Sequence, residues 1–225
     1  MGIQSPVSHR LTVTALLLLT FATGIIDAIS VLVLGHVFVA NMTGNVIFLG
    51  FWLVPHSGVD LAAAVVAFVS FVAGTVVGGR FARHLQGNPR RWLTVTHSVE
   101  VVMLLALSAL AGAGVLDYQD NRKLILISGL AITFGIQNAT ARQFGIQELS
   151  TTVLTQTIVG IGLDSRLAGG TGDREKLRYG VVATMMAGAM VGASLTLVAV
   201  APVIALAALV IAASAAIFRF GSSGS

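Results

Sequence analysis

The sequence contains no cysteine and few charged residues. None of its 225 positions holds cysteine, which excludes disulfide bonds, thiolate metal sites and cysteine nucleophiles. Only 10% of the residues are charged and 56% are hydrophobic, whereas a soluble domain usually carries about 25% charged residues. The mean hydropathy is +0.92. This composition predicts an all-α polytopic membrane protein without a separate soluble domain.

Motifs for ATP-driven or enzymatic chemistry are also missing. The chain has no phosphate-binding loop, no Gly-x-Ser-x-Gly motif and no histidine and carboxylate cluster at metal-ligand spacing. We therefore expect no enzyme, no cofactor and no metal. The net charge of +4 comes from Lys and Arg in short loops, which is typical of membrane topology rather than nucleic-acid binding.

Eight apolar segments are visible, and two of them are short. A spanning helix needs about 20 apolar residues, and the second and sixth segments fall below this length. The first is too long for a secretory signal peptide and lacks a clear cleavage site, so we expect it to stay as a helix. The segments lie at 12–34, 37–54, 60–82, 92–115, 123–142, 150–163, 177–198 and 200–218.

The loop arginines favour six crossings. Arg10 places the N-terminus in the cytoplasm by the positive-inside rule. If all eight segments crossed, the loop 80–91 with its four arginines would lie outside, against that rule. If the two short segments are broken or re-entrant, this loop and both termini are cytoplasmic. Eight short crossings with parallel halves remain the alternative.

The expected organisation follows from these crossings. It comprises a cytoplasmic N-terminus at 1–10, a first membrane unit at 11–115, a connecting loop at 116–122, a second unit at 123–219 and a tag remnant at 220–225.

Two polar motifs recur at a shift of about half the chain. Gly24-Ile25-Ile26-Asp27-Ala28 matches Gly135-Ile136-Gln137-Asn138-Ala139, 111 positions later, and 42–45 matches 154–157. Because three crossings per unit reverse the second unit, the sequence predicts a two-fold inverted repeat. Chance matching of small apolar residues is the alternative explanation.

Asp27 is the principal candidate for a functional group. It lies about sixteen residues into the first apolar run, or about 24 Å at 1.5 Å per residue. A carboxylate at the centre of a spanning helix costs about 2.5–3.5 kcal/mol and is usually functional. We predict that Asp27 binds a proton or a cation near Gln137 and Asn138. The alternatives are a structural bond from Asp27 to Asn138 or to a broken segment, and an interhelical role for the amides.

The 41–45 motif predicts a break in the second segment. Gly44 would free the backbone, and Thr43 or Asn45 would cap a half-helix whose N-terminus points at a ligand. The threonines of the sixth segment would do the same, unless they bond back within an ordinary helix. The residues predicted to bind substrate or ion are Asp27, Asn41, Thr43, Gly44, Asn45, Gln137, Asn138, Thr155 and Thr157, with Thr151 and Thr152 as part of the second motif.

Two further features complete the candidates. Glu100 and His97, one turn apart in the fourth segment, are secondary candidates for proton coupling, unless they form a water-reached pair near Arg91. Small residues at four-residue spacing allow close helix packing and could serve a homodimer interface. These are Gly74, Gly78, Gly79, Gly188 and Gly192.

Residues 24–50, with Asp27-Ala28 and the 40–45 core, resemble the YoaK-like family of small bacterial membrane proteins. Gly135–Ala139 followed by Thr155 carries the same resemblance, which extends over nearly the whole chain except its end. It implies a protein of the bacterial inner membrane, and it supplies no substrate because the family has no assigned function.

The residues themselves predict secondary transport of a small polar solute or ion. Transport would be coupled to protons through Asp27 and would alternate between the two repeats. The expected partners are the lipid bilayer, the solute or ion and the proton. A passive channel lined by two half-helices and a membrane scaffold without flux are the alternatives.

Overall fold

Regular structure in the described part of the chain is helical, and six of its helices are long enough to cross a bilayer. The computed structural model describes residues 5–54, 58–85, 87–118, 120–144 and 154–222. All but α2 and α6 have the length and hydropathy of a membrane span, which confirms an all-α, multi-pass membrane protein. The α-helices in these ranges are α1 His9–Leu32, α2 Met42–Gly50, α3 Leu61–Leu85, α4 Pro89–Gly112, α5 Lys123–Ala141, α6 Leu154–Leu163, α7 Glu175–Thr196 and α8 Val200–Phe220.

The two short helices carry the polar motifs. With its following 3₁₀ turn, α2 covers Met42–Leu53, and α6 covers Leu154–Leu163. At 1.5 Å per residue they are about 18 Å and 15 Å long, well below the hydrocarbon thickness of about 30 Å. The start of the second short segment, with Thr151 and Thr152, lies outside the described residues.

Local sequence signals set the ends of the long helices. Asn88 caps α4 by accepting the N–H of Arg91 at 3.0 Å, and Pro89 occupies the first turn, where its missing N–H costs nothing. After α1, Gly35 and His36 adopt positive φ angles of 109° and 60°. Glycine adopts this conformation readily and histidine rarely. The chain therefore turns sharply where α1 ends.

The centre of the bundle is formed by α1 and α5. In each of them 67% of the apolar window is buried, against 17–39% in the other four spans. α1 packs against α7 and α8, α5 packs against α3 and α4, and α4 packs against α8. The outer helices present exposed apolar side chains that contact lipid, among them Val102, Met186, Met190 and Leu209.

Glycine permits two close helix crossings. A Cβ at Gly188 of α7 would meet the backbone of Phe21 in α1, and a Cβ at Gly74 of α3 would meet the backbone of Ile132 in α5. Each crossing contains two further glycines, one a turn away on the same helix and one on the partner helix. The close packing predicted for Gly74, Gly78, Gly188 and Gly192 is therefore observed within the bundle, together with Gly24 and Gly135 on the partner helices. For Gly79 the prediction is wrong, because the nearest atom to a Cβ there lies 4.0 Å away.

Arg90 joins the α3–α4 loop to both ends of the chain. Its guanidinium donates hydrogen bonds to the carbonyl oxygens of Arg219 and Gly221 at 3.0 Å and of Pro6 at 3.1 Å. These carbonyls belong to the N-terminal and C-terminal segments. All three parts of the chain therefore lie at the same end of the bundle.

The glycine crossings predict a position-specific loss of stability. Gly188→Ala should destabilise the fold by about 1–3 kcal/mol, because the new methyl group meets the Phe21 carbonyl. Gly180→Ala is the matched control in the same helix, since nothing lies within 4 Å of its Cβ position. Thermal unfolding in detergent would measure both.

The second crossing offers the same comparison. Gly74→Ala should destabilise, whereas Gly79→Ala should not, because the nearest atom to a Cβ there is the Arg83 side chain at 4.0 Å. Equal stability of the two variants in either helix would contradict the assignment.

Candidate functional site

The Asp27 carboxylate is bound by the segment that follows the turn after α1. Its Oδ1 accepts the backbone N–H groups of Val39 and Ala40, both at 2.9 Å. Its Oδ2 accepts the side-chain amide of Asn41 at 2.5 Å. The side chain is buried, with 5% of the residue exposed. Asp27 therefore bonds to residues 39–41 rather than to Asn138, which was the other structural alternative.

This contact brings a negative charge to the start of α2. The helix begins at Met42 with Asn41 at the capping position, and Asn41 makes no side-chain capping bond. The prediction that Thr43 or Asn45 caps the half-helix is wrong, because both lie inside α2. Asp27 instead stands near its positive N-terminal end, where a carboxylate is stabilised.

The Asn45 side chain of α2 also hydrogen-bonds to the segment 37–41. Its Oδ1 accepts the N–H of Phe38 at 2.9 Å and its Nδ2 donates to the carbonyl of Phe38 at 2.5 Å. Gly44 is helical rather than a break, and a Cβ there would lie 2.5 Å from atoms of the Phe38 ring. The motif thus holds a non-helical backbone in place, since residues 37–41 have no helical ladder.

Gln137 links the two central helices. Its Nε2 donates to the Thr23 hydroxyl at 3.1 Å and lies 3.5 Å from the Leu19 carbonyl, both in α1. Its Oε1 is buried without a hydrogen-bond partner among the described residues. The neighbouring Asn138 donates to the Phe134 carbonyl of its own helix at 2.8 Å. Gln137 is therefore the amide that reaches across the centre.

The remaining predicted residues are divided between the surface and the interior. Thr157 is buried on α6, at 2% exposure, in the place that corresponds to Asn45 on α2. Thr43 and Thr155 are exposed. The structure thus gathers Asp27, Asn41 and Asn45 around residues 37–41 and leaves the two threonines outside this group.

His97 and Glu100 are both fully buried on α4. The His97 ring packs against Phe218 of α8, with 5.7 Å between the ring centres. The interpretation of these residues as an interfacial pair near Arg91 is wrong, because α8 packs over this side of α4 and His97 Nε2 makes no hydrogen bond to Glu100.

The sequence of the chain matches a known protein family over most of its length. The profile of a family described as "Protein of unknown function (DUF1275)" matches residues 15–217. The chain belongs to this family. It is also 33% identical over 155 residues to the UPF0700 transmembrane protein YoaK of Bacillus subtilis (strain 168). The matched region covers 68% of this chain and 66% of that protein. The YoaK-like resemblance is confirmed.

The match with YoaK spans just under two thirds of that relative's length. No solved structure matches the chain. The family assignment therefore establishes a transmembrane protein, and the chemistry of this DUF1275 member has to be argued from its own contacts.

Sequence reasoning missed an ion pair at the start of α3 and α5. Lys123 Nζ lies 2.7 Å from Asp60 Oδ2, and Gly35 of the α1–α2 turn lies beside both. Partial burial acts to raise the pKa of Asp60, but the hydrogen bonds from Lys123 and the Ala63 amide outweigh it and hold this pKa below its ordinary value. The pair fixes the end of the bundle where the chain turns after α1.

It also missed several hydrogen-bond partners of the predicted polar groups. The amides of Val39 and Ala40 and the hydroxyl of Thr23 carry no distinctive motif. The Gly35-His36 dipeptide was the available signal, since glycine after a long apolar run marks a turn.

Removing the Asp27 carboxylate should loosen the segment after α1. Asp27→Ala leaves the buried amides of Val39 and Ala40 without an acceptor, which costs about 1–3 kcal/mol per group. Asp27→Asn keeps one acceptor oxygen and should cost less. The exposed Asp173→Ala is the control, and thermal unfolding is the measurement. An Asp27→Ala protein as stable as this control would refute the anchoring role.

Asn45 offers a test of polarity rather than size. Asn45→Ala loses both bonds to Phe38 and should cost about 1–3 kcal/mol. Asn45→Asp should be no better, because it points a second oxygen at the Phe38 carbonyl. Thr43→Ala, exposed on the same helix, should leave the melting temperature unchanged. Rescue of stability by Asn45→Asp would show that the Phe38 carbonyl is not bonded as described.

Proposed function

We propose that the protein is a proton-coupled secondary transporter of a small polar solute or ion. The observation that carries this proposal is the buried Asp27 carboxylate, which faces three hydrogen-bond donors from residues 39–41. The neutral acid carries an O–H that needs an acceptor. On Oδ2 this O–H would face the side-chain amide of Asn41, which is itself a donor. Protonation would therefore weaken the attachment of residues 39–41 to α1, which couples proton binding to a movement of α2.

The proposed membrane topology has six crossings, with the two short segments re-entrant. If α2 crossed the bilayer, the loop 80–91 would lie at the opposite end of the bundle from the N-terminus. The bond from Arg90 to the Pro6 carbonyl at 3.1 Å supports the same end for both. The arginine-rich loops would then place both termini in the cytoplasm, with the chain in the bacterial cytoplasmic membrane.

The packing also supports an inverted two-fold repeat. α1 crosses α7 through Gly24 and Gly188, and α5 crosses α3 through Gly135 and Gly74. The first helix of each proposed unit thus packs against the second spanning helix of the other unit in the same way. An exchange of the two units would map one crossing onto the other, as expected for alternating access between two repeats.

The proposed solute position is the contact between the two central helices. Gln137 Oε1 is a buried acceptor without a partner in the described residues, and its Nε2 already binds Thr23. A solute that donates a hydrogen bond would satisfy that oxygen. This favours a small polar molecule over an apolar one, because apolar contact would leave the oxygen unpaired.

A scaffold without flux is the competing function. It is favoured by one observation, namely that Asp27 and Asn45 are both fully engaged in holding residues 37–41. Under this reading their substitution would change folding and nothing else.

Flux measurements on reconstituted protein separate these functions. Proteoliposomes with an internal pH-sensitive dye would be exposed to amino acids, sugars, organic acids and inorganic ions across an imposed pH gradient. We expect one solute class to enter with protons, and Asp27→Asn to reduce proton movement to the level of empty vesicles while uptake down a solute gradient persists. Asp173→Asn is the matched control and should transport normally.

Counterflow completes the assignment. A carrier exchanges labelled for unlabelled solute, so unlabelled solute on the far side accelerates uptake, whereas a channel shows no such acceleration. Absence of flux for every class, with normal unfolding of the reconstituted protein, would favour the scaffold.

A further inference from the structure

Glu100 is a buried carboxyl group that lacks the partners Asp27 has. The residue has no exposed surface, and neither carboxyl oxygen has a hydrogen-bond partner among the described residues. Asp27, in contrast, faces three donors. Two carboxyl groups at membrane depth thus stand in opposite surroundings.

The helices packed against α4 bring no counter-charge to Glu100 in the middle of the bundle. α8 carries Arg219 in its last turn and α5 carries Lys123 at its first residue. The charged and titratable groups of α3 are Arg80, Arg83 and His84, near its end. An ionised carboxylate without a partner is strongly disfavoured in such a place, so the neutral acid is the form that fits.

His97 shares the buried side of α4 with Glu100, one turn closer to the start of the helix. Its Nδ1 lies 2.8 Å from the Leu93 carbonyl and must donate to it, so a neutral ring keeps its lone pair at Nε2. Nε2 is buried and has no hydrogen-bond partner in the described part of the chain. It is therefore available to accept a proton.

A groove between α4 and α8 leads to this ring. Its volume is about 320 Å³, His97 forms part of its wall, and Thr94, Ser98 and Arg219 lie along it. Arg219 belongs to the end of the bundle where Arg90 holds both chain ends. The groove thus connects that end with His97, and Glu100 follows one turn deeper.

We propose that Glu100 is a second proton-binding site, protonated in this conformation and supplied through the α4–α8 groove by His97. In the transfer, His97 Nε2 takes a proton from a hydronium ion, which leaves as water. Because His97 Nε2 and the Glu100 oxygens make no direct hydrogen bond, the imidazolium passes this proton through a bridging water to a carboxylate oxygen of Glu100 and returns to the neutral ring. The link between this site and solute movement rests on the proposed transport function, whereas the site itself does not.

Dicyclohexylcarbodiimide tests the site, because this apolar reagent adds to protonated carboxyl groups in apolar surroundings. The full chain would be treated in vesicles of phosphatidylcholine and phosphatidylglycerol, and the modified peptide would be identified by mass spectrometry. We expect an adduct on Glu100 that disappears in Glu100→Gln and remains in Asp27→Asn. An adduct on Asp27 with Glu100 unmodified would overturn the proposal.

Infrared spectroscopy covers the case in which the reagent fails to reach the site. A protonated Glu100 gives a carbonyl band of the free acid that is lost in Glu100→Gln, and absence of both band and adduct overturns the proposal. Transfer into D2O shifts this band as the acid exchanges. The exchange should be several times slower in His97→Gln than in the unmodified chain, and an equal rate would exclude His97 as the supplier.

The two proposals fail separately. Labelling of Glu100 without any solute flux would leave the proton site intact and overturn the transport function. Proton-coupled flux by a protein in which Glu100 is neither labelled nor gives the acid band would support the transport function and overturn the proton site.

Discussion

The fold depends on how the backbone after α1 is satisfied inside the helix bundle. Residues that leave a helix within an apolar bundle expose N–H and C=O groups that apolar side chains cannot pair. Here the carboxylate of Asp27 accepts two of these N–H groups, and the amide of Asn45 pairs both groups of the Phe38 peptide. Without these two side chains, residues 37–41 would have to continue as a helix or leave the bundle. The position of residues 37–41, and of α2 that follows them, depends on this pairing.

The same pairing resolves an apparent conflict between two sequence signals. The N-terminus of a short helix attracts an anion, whereas a buried aspartate attracts a proton or a cation. In the structure the two attract each other, because residues 39–41 bring the start of α2 onto Asp27. Neither signal therefore specifies the charge of a solute. In the proposed transporter, Gln137 Oε1, which has no hydrogen-bond partner among the described residues, would be the group left for recognition, and it would require a hydrogen-bond donor rather than a particular charge.

The sequence predicts the spanning helices well and their mutual contacts poorly. Apolar runs and loop arginines locate all six spans to within a few residues, since membrane thickness fixes helix length. The glycine spacing also predicts close crossings correctly. The sequence analysis allowed a bond from Asp27 to a broken segment and named Asn41 as a site residue, but it did not predict the amides of Val39 and Ala40. These are backbone groups without a residue-specific signal, and the positive φ angles of Gly35 and His36 bring them back to Asp27. The burial of His97 was not predictable either, because the packing of α8 over α4 is a long-range contact that the spacing within α4 does not encode.

An asymmetry between the halves gives the proposed repeat a direction. Among the described residues, the buried titratable side chains are Asp27, His97 and Glu100, and all three belong to the first unit. The corresponding positions of the second unit hold Asn138, Ala208 and Ile211, which cannot gain or lose a proton. If the units were identical, an inverted repeat would have two conformations of equal free energy. In the proposed transporter, protons would bind only one unit. Each proton would then change the free energy of the two conformations unequally, and only such a difference can shift their populations.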